Sequence, residues 1–224
     1  MNKHRFDENE IAGVYRAIYQ RRDMRHFRKD PVDEDMLMRL LAAAHHGPSV
    51  GFMQPWRFIR ISDGHLRQQI HAQVDAERQR TAQALGQRQE EFMKLKVEGI
   101  LDCAEVLVAA LMPQREPYIF GRRTLPEMDL ASVACAIQNL WLAARAEGLA
   151  MGWVSLFQPD ELMSLLRMPA GSKPVAILCL GHTDQFYEEP LLQTTNWDQR
   201  RDLGSLLMTD RWQDASLDPP GLRE

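Results

Sequence analysis

The chain lacks the marks of several protein classes. Cysteine is scarce: Cys103, Cys135 and Cys179 lie far apart and form neither a CxxC pair nor a zinc spacing. An odd, scattered set argues against a disulfide framework and reads as buried free thiols. No apolar run approaches the roughly 18 consecutive residues that a membrane-spanning helix needs. Met1 to Glu10 is polar and charged, without the apolar stretch of a secretion signal. Together these absences point to a reducing cytoplasm and no membrane partner. Charge of one sign is missing too. Lys and Arg number 27 against 31 Asp and Glu, a formal net charge of -4 without long single-sign runs, which argues against general nucleic-acid binding.

Familiar cofactor signatures are also absent. There is no GxGxxG and no P-loop, and Gly47 to Gly51 is not a phosphate-cradling loop, so a dinucleotide-binding Rossmann fold has little support. His45 and His46 are adjacent and point in different directions on a helix. No HExxH or similar partner follows, so no metal is expected.

What remains is an ordinary globular composition. The 224 residues suit one large domain or a compact two-layer enzyme with a real core. No internal repeat or flexible linker appears, so residues 1–224 read as a single domain.

Residues 10–21 read as a first helix ending in basic residues. Asp33 can cap a second helix to about His46, with Val32 and Leu37 as a hydrophobic staple across the cap. Gly47-Pro48-Ser49-Val50-Gly51 cannot continue a helix and must be a loop. Arg57 to Ile61 alternates like a strand. Residues 64–98 are polar and helix-favouring, which suits a surface helix, a mobile lid, or both. Glu105 to Leu111 is an apolar run of strand length. Thr124-Leu125-Pro126-Glu127 fits a capping box opening a helix from about Glu127 to Glu147, with Gly148 as its stop. That helix is apolar nearly all round, so it must be buried in a core or against another subunit. Leu149 to Phe157 and Lys173 to Leu180 read as further strands. The stretch from about 184 to 224 has no strong period and looks like a C-terminal arm lying over something. The order gives an α+β or mixed α/β fold, with a central mixed sheet flanked by helices.

Three segments can carry chemistry. Arg21, Arg22 and Arg25 sit at the end of the first helix, where arginine forks could grip one phosphate or simply complement the helix dipole. Asp23 among them is an ion-pair partner or a carboxylate placed for proton transfer. The loop Gly47 to Trp56 offers Ser49 and Gln54 for hydrogen bonds and Phe52, Met53 and Trp56 for flat or soft apolar contact. That mix suits a planar heteroaromatic ring or a structural loop around a buried tryptophan. In Gly152-Trp153-Val154-Ser155, a small residue in a strand lets a ligand approach the backbone. Ser155 then faces opposite Val154.

These segments occur together and in one order. The Arg-Arg-x-x-Arg segment, the Pro-Ser-x-x-x-x-Gln-Pro-Trp loop, the long apolar helix and the Gly-Trp-Val-Ser strand resemble the nitroreductase family of flavin mononucleotide (FMN) proteins. The matching stretches are Tyr15 to Arg25, Ala42 to Trp56, Leu95 to Ile100, Glu127 to Phe157 and Cys179 to Gly181. Ordinary members resemble Arg-Arg-Ser-x-Arg where this chain has Asp23. Its flavin-fragmenting members carry an aspartate there and a serine matching Ser155.

The resemblance implies an intertwined homodimer with flavin at the interface. It implies that Arg21, Arg22 and Arg25, with Asp23 and Met24 between them, hold the FMN phosphate and ribityl chain, and that Arg200 reaches the same phosphate. Ser49, Met53 and Gln54 line the ring, Leu95 belongs to a lid, and Gly152 and Ser155 approach from the strand. The implied reaction consumes reduced FMN and molecular oxygen and yields 5,6-dimethylbenzimidazole and erythrose 4-phosphate. Asp23 moves protons, Ser155 steers oxygen or bonds the flavin, and a separate flavin reductase supplies the substrate. An NAD(P)H-dependent nitroreductase or quinone reductase is the alternative, and a flavin-binding protein without turnover is a third reading.

Overall fold

The computed structural model describes residues 3–212. Helix α1 (Glu8–Gln20) opens on a reciprocal box: Asp7 accepts from the Glu10 amide, and Glu10 accepts from that of Asp7. Asp33 caps α2 (Glu34–His45) by accepting from Met36 N at 3.1 Å. Val32 and Leu37 are both buried in the cluster beneath that cap, as the staple requires. Strand β1 is Trp56–Arg60. The polar stretch forms α3 (Gly64–Ala84), a short turn, and α4 (Gln89–Lys94). On α3 only Ile70, Val74 and Ala82 are buried, so it is a surface helix.

Strand β2 (Glu105–Leu111) pairs antiparallel with β1 and with β4 (Lys173–Gly181), and β4 pairs antiparallel with β3 (Ala150–Val154). The order is β1-β2-β4-β3. Among the described residues, the parallel component of the expected mixed sheet is a single bridge, Asp23 to Met151. The inner strands read as continuous apolar runs because helices cover both faces. Leu107, Ala109 and Leu111 of β2 pack with α2 and with α5 (Met128–Ala146), while Val106 and Val108 pack with α3 and α6 (Pro159–Leu165). That period-two split is what a doubly covered strand must show.

One expectation about α5 changes. The capping box does not form: Glu127 occupies the cap position without a side-chain bond. Backbone turns replace it, with Met128 N donating to Leu125 O at 3.2 Å. Burial is one-sided. Asp129, Ser132, Val133, Ala136, Ile137, Leu140, Trp141 and Ala144 form a buried stripe at helical spacing, while Leu130 and Cys135 on the other side are exposed. Cys135 is therefore not a buried thiol, unlike Cys103 and Cys179.

The chain divides into two compact units, Met1–Phe186 and Tyr187–Glu224. The first holds the sheet and helices α1 to α6. In the second, α7 (Leu191–Thr194) and a turn at Leu203–Leu206 bury no residue, and Leu203, Leu207 and Trp212 are each more than three-quarters exposed. Residues 213–224 of the stretch read as an arm lie outside the described residues.

Candidate functional site

Strand β3 is an outer strand, so its free edge needs a cover. The segment after α1 supplies it. Met24 N donates to Met151 O at 3.0 Å. Two residues on, side chains take over: Asp23 Oδ1 accepts from Trp153 N at 2.9 Å, and Arg25 Nη2 donates to Trp153 O at 3.0 Å. Arg25 Nη2 also donates to Asp23 Oδ2 at 2.6 Å, closing the clamp. Gly152 sits within it. A Cβ there would lie 2.2 Å from Met24 O and 2.7 Å from Arg25 Nη1. The missing side chain thus admits the protein's own segment 23–25, and the space read as a ligand's approach to Gly152 is taken by Met24.

The arginines are deployed separately. The Arg21 guanidinium lies 4.4 Å from the centroid of the Trp141 ring. Arg22 Nη1 donates to Tyr19 O at 2.7 Å and to Arg21 O at 2.8 Å, at the carbonyl end of α1. Arg145, on the last turn of α5, donates to Gln20 Oε1 at 2.8 Å. Burial lowers the Arg145 pKa, and repulsion from Arg16 and Arg22 adds to it. A cluster whose members repel one another gains most from an anion, and arginine forks match phosphate oxygens.

Asp23 is tuned the other way. Burial raises its pKa above the ordinary 3.8, against the opposing pulls of Arg25, the Trp153 amide and Arg21. An edge of the carboxylate stays open, with 43% side-chain exposure. The folded carboxyl therefore binds its proton more tightly than the unfolded one. Its contribution to stability falls as pH rises from 3.8 through the raised folded value. We expect the stability difference between the wild type and Asp23→Asn to drift against the wild type across that window in urea melts at stepped pH. A flat difference would sink the assignment.

The loop after α2 is fixed from α5. Gly47 packs so closely that a Cβ would lie 3.0 Å from the Ala136 Cα. One turn earlier on α5, Ser132 Oγ accepts from Val50 N at 3.0 Å and donates to Met128 O at 2.7 Å. Ser49 Oγ accepts from Gln54 N at 3.1 Å, tying the loop's ends. Three backbones inside it are left-handed: Gly51 (φ 53), Phe52 (φ 54) and Gln54 (φ 49). Non-glycine residues hold that conformation only where their surroundings impose it. Met53 is buried, while Phe52 is 83% exposed. His45 accepts from Trp56 Nε1 at 3.3 Å when its Nδ1 is unprotonated, which gives that histidine a structural partner.

Helix α5 connects the two groups. It braces the loop through Ser132 and carries Trp141 under Arg21, about 14 Å further along its axis. Three predicted residues remain. Leu95 is buried at the end of α4, where its carbonyl accepts from Arg78 Nη2 at 3.0 Å. Ser155 is exposed and falls just beyond β3, which ends at Val154. It is therefore not a strand residue: Phe157 N turns back to Ser155 O at 3.1 Å, and Pro159 then opens α6. Arg200 is an exposed residue of the second unit. Sequence reasoning missed Ser132, Asp129, Trp141 and Arg78. The signal available for the first two was polarity on an otherwise apolar helix face.

The sequence profile of the nitroreductase family matches residues 18–182. A 5,6-dimethylbenzimidazole synthase of Rhodospirillum rubrum is 40% identical over 200 residues, spanning 88% of this chain and 94% of that protein. One from Rhodobacter capsulatus is 37% identical over 198 residues, spanning 87% of this chain and 95% of its own. Among solved structures, a BluB-like flavoprotein from Clostridium difficile 630 has a TM-score of 0.68 at 16% identity, over 88% of this chain and 99% of its own. That last likeness is one of fold.

Proposed function

The chain belongs to the nitroreductase family, and from that premise we propose that it fragments reduced FMN, with molecular oxygen, to 5,6-dimethylbenzimidazole and erythrose 4-phosphate. The benzimidazole is the lower ligand of cobalamin. The observation that carries this reading is the 40% identity running through 94% of a 5,6-dimethylbenzimidazole synthase. A flavin fits the residues present. The arginines at the end of α1 suit its phosphate, and the buried Trp141 Nε1 has no hydrogen-bond partner among the described residues.

Bound reduced FMN supplies the dimethylated ring and, from its ribityl chain, the carbon that closes the new ring. Arg21, Arg22 and Arg25 hold the phosphate and ribityl chain, with Met24 and Gly152 seating that segment on β3. Ser49, Met53 and Gln54 line the ring, and Leu95 belongs to the lid that keeps water out. Ser155 offers a hydroxyl that steers oxygen or bonds the flavin during oxidation. Asp23 moves protons. Its raised pKa brings it nearer to neutrality, where a carboxyl both takes and returns a proton.

The protein works as a homodimer. Helix α1 buries no residue of its own, and Val14, Tyr15, Ile18 and Tyr19 form an exposed apolar stripe. The outer face of α5 is also open, at Leu130 and Cys135. A second copy would cover both. A separate flavin reductase supplies reduced FMN in the cytoplasm. Among the described residues no helix is long and apolar enough to cross a membrane.

The test is a single-turnover reaction. Reduced FMN is bound without oxygen, oxygen is admitted, and the products are analysed by mass spectrometry. We expect 5,6-dimethylbenzimidazole. Intact oxidised FMN as the sole product would falsify the reading. Rapid flavin reduction by NAD(P)H with turnover of a nitroaromatic would replace it with the nitroreductase alternative.

A further inference from the structure

We infer that Ser132 is a positioning residue for the flavin ring, acting through the loop from Ser49 to Gln54. The inference rests on the proposed contact of Ser49 and Gln54 with flavin. Ser132 touches neither of their side chains. It is 4% exposed, and its hydroxyl accepts from Val50 N at 3.0 Å while donating to Met128 O at 2.7 Å. Its proton is thus committed to the helix, and its lone pair faces the loop.

The loop needs such an anchor. Phe52 and Gln54 hold left-handed backbones that their side chains disfavour. Inside the loop, Gln54 N donates to Ser49 Oγ, Phe52 N to Ser49 O at 3.1 Å and Met53 N to Val50 O at 3.0 Å, and all three bonds stay within the loop. The restraint comes from α5 and from a second loop that α5 also fixes. Asp129, one turn before Ser132, accepts from Arg115 Nε at 2.8 Å and from Arg122 Nη2 at 3.0 Å. Those arginines fold the stretch around Tyr118 to Gly121 against the first loop. There a Cβ on Gly51 would meet Phe120 O at 2.9 Å, and one on Gly121 would meet Val50 Cγ2 at 2.6 Å. Val50 is therefore held from two sides, by Ser132 on its amide and by Gly121 against its side chain. Gly47, packed on Ala136, fixes where the loop begins.

Removing the Ser132 hydroxyl frees one side of Val50 and leaves a part-buried amide without its acceptor. The loop then spreads over more conformations, and flavin affinity falls with the fraction that remains competent. We expect Ser132→Ala to weaken binding of oxidised FMN about tenfold, the size of effect that a lost acceptor for a buried amide produces. The visible spectrum of bound FMN should shift with it. Ser132→Thr, which keeps the hydroxyl, should bind within about twofold of wild type.

The decisive measurement is a cycle with Gln54→Ala, read by FMN titration and melting temperature. If Ser132 acts through the loop, Ser132→Ala adds little once Gln54 has been truncated. Losses that multiply in the double variant overturn the inference, as does wild-type affinity in Ser132→Ala or a folded Ser132→Thr that binds as poorly as alanine. If Gln54→Ala alone leaves FMN affinity and spectrum unchanged, the contact assigned to the loop fails, and the positioning role falls with it.

Discussion

Replacing Asp23 by asparagine leaves FMN bound and removes the benzimidazole product, with an expected loss of about 10²–10⁴-fold in its rate of formation, the usual span for a lost general acid or base. The clamp explains why this substitution separates chemistry from structure. Asp23 Oδ1 accepts from Trp153 N, and an asparagine carbonyl oxygen can accept in its place. The bond from Arg25 Nη2 to Oδ2 is lost, but Arg25 keeps Trp153 O. Segment 23–25 therefore stays on β3, and the arginines stay at the end of α1. What disappears is a carboxyl that burial has pushed towards neutrality. Flavin titration and product analysis on the same sample read the two effects separately. A variant that made product at the wild-type rate would leave Asp23 as an edge clamp only. A variant that lost FMN binding as well would show that its charge mainly holds the segment.

Much of this arrangement was legible in the sequence. Asp33 announced α2, the polar stretch announced a surface helix, and the apolar run at Glu105 to Leu111 coincides with β2. Local chemistry fixes such elements, because caps and periodicity act over a few residues. The errors lie where one local arrangement outcompetes another or where distant partners decide. The box at Thr124 lost to backbone turns before Met128. Ser155 left the strand because the pairing of β3 with β4 stops at Val154 and Ile177. The site divides the same way. Asp23 and the arginines could be singled out by residue type, but their division of labour could not: one on Trp141, one on the end of α1, one clamping Trp153. Ser132 gave no motif at all, since its partner Val50 lies 82 positions away.

Gly152 is the position where sequence and structure gave different reasons for the same residue, and it carries the largest structural prediction. Gly152→Ala would place a methyl 2.2 Å from Met24 O, a backbone atom that no rotamer change can move aside. The segment must then lift from β3. With it go the Met24 to Met151 bond and the two side-chain bonds to the Trp153 backbone. At about 1 kcal/mol for each of these three bonds, the expected loss is roughly 3 kcal/mol. For a chain of this length that lowers the melting temperature by about 6–12 °C. FMN affinity should fall with it, because Arg25 loses its anchor on Trp153 O. Gly13→Ala is the control. It adds the same methyl on exposed α1, where nothing lies within 4 Å, and should stabilise by about 0.5–1 kcal/mol. Calorimetry on both variants, with and without FMN, separates the two readings of Gly152. If alanine there kept the fold's stability and lost only flavin, the space beside the strand would belong to the ligand after all. A loss of both, already present without FMN, assigns it to the segment that carries Asp23.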